Sequence, residues 1–132
     1  TRARYLAEVL DITLVCDADS GYGDVSSVVR TVREYEAAGV SGIHFEDQVM
    51  PKKCGSMGGV HVVPVEEICA KIKAALEARR DPNFMIIART DCFNTTCANL
   101  KRAVYSAIRS LKRWATSSLS IPSQAYCTRP TR

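Results

Sequence analysis

The sequence predicts an α/β fold built on a parallel sheet, and two observations carry this prediction. Over the first two-thirds of the 132 residues, short apolar runs alternate with longer amphipathic segments, a pattern typical of βαβ units. Each of the three predicted strands is also followed directly by charged residues. Because the carboxyl ends of parallel strands share one face in a (β/α) barrel or a doubly wound sheet, the pattern predicts a site on that face.

The predicted elements alternate along the chain between strands and helices. Residues 12–16 form the first predicted strand, and the helix that follows places apolar residues at helical spacing up to Gly39, a natural stop. Residues 41–45 form the second strand. The second helix covers residues 64–79, and residues 84–88 form the third strand.

Charged residues at the strand ends are the candidate site. Asp17 and Asp19 follow the first strand, Glu46 follows the second, and Arg89 follows the third. Carboxylate oxygens suit Mg²⁺, which keeps several waters and leaves positions for the oxygens of a substrate. Arginine binds a carboxylate through two parallel hydrogen bonds. Acids after strands also cap helices and form turns, so at this point both interpretations stay open.

A long connection, residues 48–63, separates the second strand from the second helix. Loops of this length in compact domains are usually functional or disordered. Cys54 follows Lys52 and Lys53, where two ammonium groups favour the thiolate form of the cysteine. A lone cysteine between lysines is nevertheless more often incidental, and a solvated loop explains the lysines equally well.

The histidine and cysteine residues allow fewer conclusions. His44 alternates with apolar neighbours on the second strand, which fits a core residue and a partner of the metal acids equally well. The six cysteines include no C-x-x-C pair and no histidine at zinc-finger spacing, so we expect reduced thiols and no structural zinc.

Composition and charge exclude several classes of function. The chain has no run of about 20 apolar residues and no signal-peptide core near its first residues, so we expect neither a membrane span nor secretion. The net charge of +4 comes from the segment after Asp91, which contains no acid. A nucleic-acid partner is therefore not expected, because such a partner needs a basic patch on a folded element. The expected compartment is the cytoplasm, with mitochondria or peroxisomes as alternatives in a eukaryote.

Taken together, the motifs resemble those of the isocitrate lyase and phosphoenolpyruvate mutase superfamily. In chain order they are DADSGYG from Asp17, GIHFEDQ from Gly42, PKKCG from Pro51, VVPVEE from Val62 and ARTD from Ala88. Within the superfamily, the chain is most similar to methylisocitrate lyase, dimethylmalate lyase and carboxyphosphonoenolpyruvate phosphonomutase-like proteins.

The resemblance implies a (β/α)₈ TIM barrel, of which this chain holds only a part. Such a barrel takes about 250 residues, so the chain has room for about three βα units. We interpret residues 1–91 as a barrel fragment and residues 92–132 as a divergent, irregular basic tail, out of frame or disordered, with a short helix at residues 100–114. The resemblance also implies a homotetramer.

For the site, the resemblance implies Mg²⁺, with Mn²⁺ as an alternative, and a small carboxylate substrate. Asp17, Asp19 and Glu46 are the implied metal residues, the last two acting partly through waters. The predicted substrate-binding residues are Arg89, Gly55 and His44.

For the reaction, the resemblance implies a mobile loop and a carbon–carbon cleavage. In the lyases the loop cysteine, here Cys54, protonates the carbanion-like product, and Lys52 and Arg89 complete the predicted catalytic set. Superfamily members that move phosphorus generally lack this cysteine, so Cys54 favours a lyase that releases pyruvate or glyoxylate and a dicarboxylate. The alternatives are a phosphonomutase, an oxaloacetate-hydrolase-like enzyme or a non-catalytic interaction fragment, and we expect the chain to be inactive as a fragment.

Overall fold

A computed structural model of the protein describes residues 2–55, 58–92 and 119–120. The helices and strands are, in chain order, α1 (Arg2–Val9), β1 (Val15–Asp17), α2 (Val25–Ala37), β2 (Gly42–Glu46), α3 (Val65–Ala78), β3 (Met85–Arg89) and β4 (Leu119–Ser120). Most of the predicted tail, with its helix at residues 100–114, lies outside the described residues. None of the described helices combines the length and apolar character that a bilayer-crossing segment needs.

The strands form one sheet in the order β1-β2-β3-β4, and every pairing is parallel. Spatial order equals chain order, and α2 and α3 provide the crossovers between the first three strands. This arrangement is that of a piece of a (β/α) barrel, in which each βα unit adds one strand beside the last. The predicted α/β class with a parallel sheet is confirmed.

The strands end one residue later than predicted. The pairing continues to Asp17 opposite His44 and to Glu46 opposite Arg89, so these charged residues are the last residues of their strands. Strand β1 also begins later than predicted, because its first paired residue, Val15, lies opposite Gly42 at the start of β2.

Helices α2 and α3 cover one face of the sheet. Ile43 and Phe45 of β2 and Ile86 of β3 are fully buried in the core. They pack with apolar residues of both helices, namely Val28, Val32, Ile68, Ile72 and Ala75. Because side chains alternate along a strand, His44 and Glu46 lie on the opposite face of the sheet.

Local sequence explains where α2 begins and ends. The Asp24 carboxylate caps the helix by accepting a hydrogen bond from the backbone N–H of Ser27 at 3.0 Å and from the hydroxyl of Ser26 at 2.7 Å. These bonds lower the pKa of Asp24. Gly39 follows the helix with φ of +83°, a left-handed conformation that glycine adopts at little cost.

The sequence did not predict α1 or β4. Helix α1 buries none of its residues fully. It packs on the core through the small, partly buried side chains of Ala3 and Ala7, and Tyr5 is 66% exposed, so no stripe of large apolar residues marked it as a helix. Strand β4 is two residues long and pairs with β3 through Leu119 opposite Ile86.

Candidate metal and substrate site

The carboxyl ends of β1, β2 and β3 bring the predicted charged residues to one edge of the sheet. Asp17 ends β1, Glu46 ends β2 and Arg89 ends β3. In the register, Asp17 lies opposite His44 and Glu46 lies opposite Arg89. Sequence-distant residues thus become neighbours because the strands are parallel and in register.

The loop after β1 is tightly folded onto β2. The Asp17 carboxylate accepts a hydrogen bond from the Asp19 N–H at 2.8 Å, and the Asp19 carbonyl accepts one from the Glu46 N–H at 2.8 Å. Asp19 has φ of +50°, a conformation uncommon for residues other than glycine. A Cβ atom on Gly21 would lie 2.5 Å from Cγ2 of Val28, so the loop requires glycine there. The loop therefore places Asp17 and Asp19 relative to Glu46.

Three of these side chains form a cluster that suits a cation. Asp17, His44 and Glu46 each offer one ligand atom, and these atoms lie within 4.8 Å of one another. Glu46 is only 1% exposed, and neither its Oε2 nor Nδ1 of His44 has a hydrogen-bond partner among the residues that the structure describes. A buried polar atom without a partner carries a large desolvation cost.

A divalent cation would relieve this cost, and the donor set fits Mg²⁺. Mg²⁺ prefers carboxylate oxygens and binds through one or two carboxylates while keeping several waters, as Glu46 and the half-exposed Asp17 would allow. Nδ1 of His44 lies 3.9 Å from Oδ1 of Asp17, too far for a hydrogen bond, so the imidazole is a further donor beside the two carboxylates.

Lys52 reaches from the loop after β2 into this acidic group. Its Nζ lies 2.9 Å from Oε1 of Glu46 and also contacts Oδ1 of Asp19. Hydrogen bonds to Asp19 and Glu46 raise the pKa of Lys52 above its usual value. The Lys52 side chain is therefore a permanent ammonium that neutralises part of the cluster. Asp19 lies outside the three-residue cluster and engages this ammonium.

Gly55 and Arg89 meet on the other side of the site. A Cβ atom on Gly55 would lie 2.6 Å from Nη2 of Arg89, so the backbone of the loop lies directly against the guanidinium, and a larger residue there would displace the arginine side chain. Arg89 keeps 42% of its side chain exposed while Nε donates to Oδ1 of Asp91 at 2.9 Å. Cys54, the residue before Gly55, is exposed. The loop thus contacts the acids through Lys52 and the arginine through Gly55.

Sequence reasoning gave no role to the buried polar residues beneath the site. Asp47 accepts hydrogen bonds from the Thr90 hydroxyl at 2.5 Å and from the Asp91 N–H at 2.9 Å, and burial raises its pKa. These bonds tie the end of β2 to the end of β3. Asp47, Gln48 and Asp91 belong to the EDQ and RTD portions of the motifs. The motifs therefore pointed to these residues, but the sequence did not predict which atoms they contact.

Comparisons with known proteins point in one direction. A family model described as phosphoenolpyruvate phosphomutase matches residues 1–117, beyond the predicted fragment boundary. The 2,3-dimethylmalate lyase of Eubacterium barkeri is 53% identical over 94 residues, which are 71% of this chain and 32% of that protein. A probable 2-methylisocitrate lyase of Corynebacterium glutamicum is 53% identical over 90 residues, which are 68% of this chain and 30% of that protein. The chain thus spans about a third of these relatives.

Solved structures agree with the fold. A crystal structure of 2,3-dimethylmalate lyase superposes with a TM-score of 0.75 at 30% identity, covering 90% of this chain and 40% of that one. Phosphonopyruvate hydrolase in complex with oxalate and Mg²⁺ superposes with a TM-score of 0.65 at 31% identity, covering 93% of this chain and 41% of that one.

Proposed function

The chain belongs to the phosphoenolpyruvate mutase and isocitrate lyase superfamily of enzymes, and on that premise we propose that its protein is a Mg²⁺-dependent carbon–carbon lyase. The proposed substrate is a 2-hydroxy di- or tricarboxylate, as for methylisocitrate lyase or isocitrate lyase. The proposed products are an oxo acid, pyruvate or glyoxylate, and a dicarboxylate.

One observation favours a lyase over a mutase. The loop that carries Cys54 lies against Arg89, since a Cβ atom added at Gly55 would be 2.6 Å from Nη2 of Arg89. A thiol is therefore attached next to the group that would bind a substrate carboxylate. Cleavage leaves a carbanion-like product that needs a proton, and a positioned thiol is a suitable acid.

The side chains of the chain divide the work of this reaction. Arg89 binds a carboxylate of the substrate and orients it. Lys52, held charged beside Asp19 and Glu46, offsets the negative charge that gathers when a polyanionic substrate enters. Asp17 and Glu46 would hold Mg²⁺, which when bound polarises oxygens of the substrate and stabilises the oxo-acid product.

The proposed step breaks one carbon–carbon bond and forms one carbonyl group. A base removes the proton of the substrate hydroxyl, the oxygen electron pair forms the new carbonyl, and the carbon–carbon bond breaks. The bonding pair stays on the departing carbon, which takes the thiol proton of Cys54. Solvent then returns a proton to the thiolate.

The test is a coupled assay for pyruvate or glyoxylate with methylisocitrate, isocitrate and dimethylmalate, in Mg²⁺ and in EDTA. We expect turnover of one substrate only with the metal. In Cys54→Ser, kcat should fall by about 10²-fold or more, as loss of a positioned acid predicts. The matched control is Cys69→Ser on α3, which should keep kcat. Metal-dependent turnover that survives Cys54→Ser contradicts the proposed role of Cys54.

Absence of turnover with all three acids contradicts the lyase proposal. The same preparation is then given phosphonopyruvate and oxaloacetate, the substrates that a phosphonomutase and an oxaloacetate hydrolase would consume. Turnover of either assigns the protein to that branch, and none at all favours the non-catalytic fragment.

We also propose a homotetramer in the cytoplasm. The tetramer is supported by Tyr5, Val9 and Ile12, which expose more than half of their surface on and beside α1. The cytoplasm is supported by the proposed role of Cys54, because a reducing compartment keeps Cys54 a thiol. Light scattering should give four times the chain mass, and cell fractionation should place the protein with cytoplasmic enzymes. A monomer contradicts the tetramer.

A further inference from the structure

We infer that Gln48 is a positioning residue that couples Arg89 to the loop segment carrying Lys52 and Cys54. The inference rests on the proposed function for its kinetic consequence and on geometry alone for its structural one. The proposed metal binding and proton transfer give Gln48 no role, and its Oε1 and Nε2 are engaged with Lys53 and Asp91.

The backbone of Gln48 lies at the base of the loop. Gln48 forms an antiparallel bridge with Val62. On either side of this bridge, Val49 N–H donates to the His61 carbonyl at 2.9 Å and Val63 N–H donates to the Asp47 carbonyl at 2.8 Å. The two ends of the loop are thereby joined, and Gln48 is 2% exposed where they meet.

The side chain of Gln48 holds the backbone of Lys53 from both sides. Its Oε1 accepts from the Lys53 N–H at 2.9 Å, and its Nε2 donates to the Lys53 carbonyl at 3.0 Å. This pair fixes the peptide groups that flank Lys53, and so it sets the directions of Lys52 and Cys54. An amide side chain suits this pairing because it carries an acceptor oxygen and a donor nitrogen side by side.

The same amide is linked to Arg89 through Asp91. Nε2 of Gln48 donates to Oδ2 of Asp91 at 2.6 Å, and Nη2 of Arg89 donates to the same oxygen at 3.3 Å. Asp91 is 7% exposed, and its N–H donates to Asp47, so this carboxylate has little freedom to move. One buried oxygen thus receives both the arginine that would bind substrate and the amide that holds the loop.

This series of contacts links two groups of the proposed active site. Arg89 opens to solvent at one end, and Lys52 with its acid partners lies at the other. A substrate carboxylate that binds Arg89 competes with Asp91 for the guanidinium. The Gln48 amide, which shares Oδ2 of Asp91, carries that change to the backbone of Lys53, in addition to the contact of Gly55 with the guanidinium.

The structural test is limited trypsin digestion of the protein with Gln48→Met, a substitution of similar size without a donor. Cleavage after Lys52 and Lys53 should accelerate by roughly fivefold or more relative to cleavage after Arg33, as loss of buried hydrogen bonds predicts. Arg33 lies within α2 and is cut only when the helix opens, so it reports global unfolding. The neighbouring Val49→Ala, at an exposed position, should leave the ratio unchanged.

Gln48→Asn is the second variant, in case Gln48→Met does not fold. It keeps an amide but is one methylene too short to reach Lys53 and Asp91 together, and the same increase in the ratio is expected. An unchanged ratio overturns the inference. If cleavage accelerates equally at Arg33 and at the loop lysines, Gln48 only stabilises the fold, and if neither accelerates, Gln48 does not hold the loop.

The kinetic test separates positioning from binding. In the lyase assay kcat should fall about tenfold with KM within about twofold, because Gln48 orients catalytic groups and touches no substrate. A raised cleavage ratio with unchanged kcat overturns the coupling to catalysis. If the wild type turns over no substrate, the proposed function fails while the cleavage ratio still decides whether Gln48 holds the loop.

Discussion

The two faces of β2 show two different uses of one strand. Ile43 and Phe45 are fully buried under α2 and α3 and belong to the apolar core cluster. His44 and Glu46 lie on the other face, and each has a buried polar atom without a hydrogen-bond partner in the described part of the chain. Apolar side chains of the chain itself pack on the first face. On the second face, a bound cation would supply the partner that the buried polar atoms lack. The contrast separates residues that stabilise the fold from residues that stabilise a ligand.

The largest effect should come from the packed face. Phe45→Ala should lower the free energy of unfolding by about 3 to 5 kcal/mol, because it removes a fully buried aromatic ring and leaves a cavity. Urea unfolding of the protein measures the change. Tyr5→Ala is the matched control, since Tyr5 is mostly exposed on α1, and it should change the free energy by less than about 0.5 kcal/mol. Equal effects at both positions contradict the assignment of the core.

Glu46→Gln should show the reverse behaviour on the other face. Without metal, the free energy of unfolding should fall by no more than about 1 kcal/mol, because the change removes a buried anion and weakens one ion pair with the partly exposed Lys52. With Mg²⁺ at about a hundred times its Kd, the wild type should gain about 2.7 kcal/mol, and the variant should gain little. Glu77→Gln, an exposed partner of Lys73, should keep the full gain. A variant that is stabilised like the wild type by Mg²⁺ removes Glu46 from the proposed site.

Lys52→Met tests whether the ammonium group of Lys52 competes with Mg²⁺ for the acidic side chains. The ammonium contacts Asp19 and Glu46, and its raised pKa keeps it charged throughout the working range of pH. We expect Mg²⁺ to bind several-fold more tightly to the variant in calorimetry, because the positive charge 2.9 Å from Oε1 of Glu46 no longer competes with the metal for that carboxylate. Lys73→Met on α3 should leave the affinity unchanged. Weaker binding in Lys52→Met contradicts competition and makes Lys52 a support of the acid cluster.

The same comparison explains what the sequence could predict. Apolar periodicity predicted the strands and both helices around Phe45, because the side chains that face a core recur at the period of the helix or strand. Charged residues at the strand ends predicted Asp17, Glu46 and Arg89 as neighbours, because parallel strands bring their carboxyl ends together. The contacts of Gln48 and Asp91 were not predictable, since they depend on distances between residues 43 positions apart. Helix α1 was missed for the opposite reason, because it buries no residue fully and packs on the core through the small side chains of Ala3 and Ala7.

The smallest effect concerns Asp24, a carboxylate whose partners are all supplied by its own chain. Hydrogen bonds from Ser27 and Ser26 lower its pKa in the folded state, so at a given pH Asp24 binds fewer protons in the folded chain than in the unfolded chain. Its contribution is therefore present above the unfolded pKa and is lost as pH falls through the folded pKa. Asp24→Asn keeps an N-cap oxygen without the charge, so its stability should vary slightly less than that of the wild type between about pH 5 and pH 2. Thermal unfolding across this range measures the difference, and identical pH profiles would show that the capping bonds do not depend on ionisation. Asp24 is thus the counterpart of Glu46, because a carboxylate satisfied by its own helix should respond to protons and be indifferent to Mg²⁺.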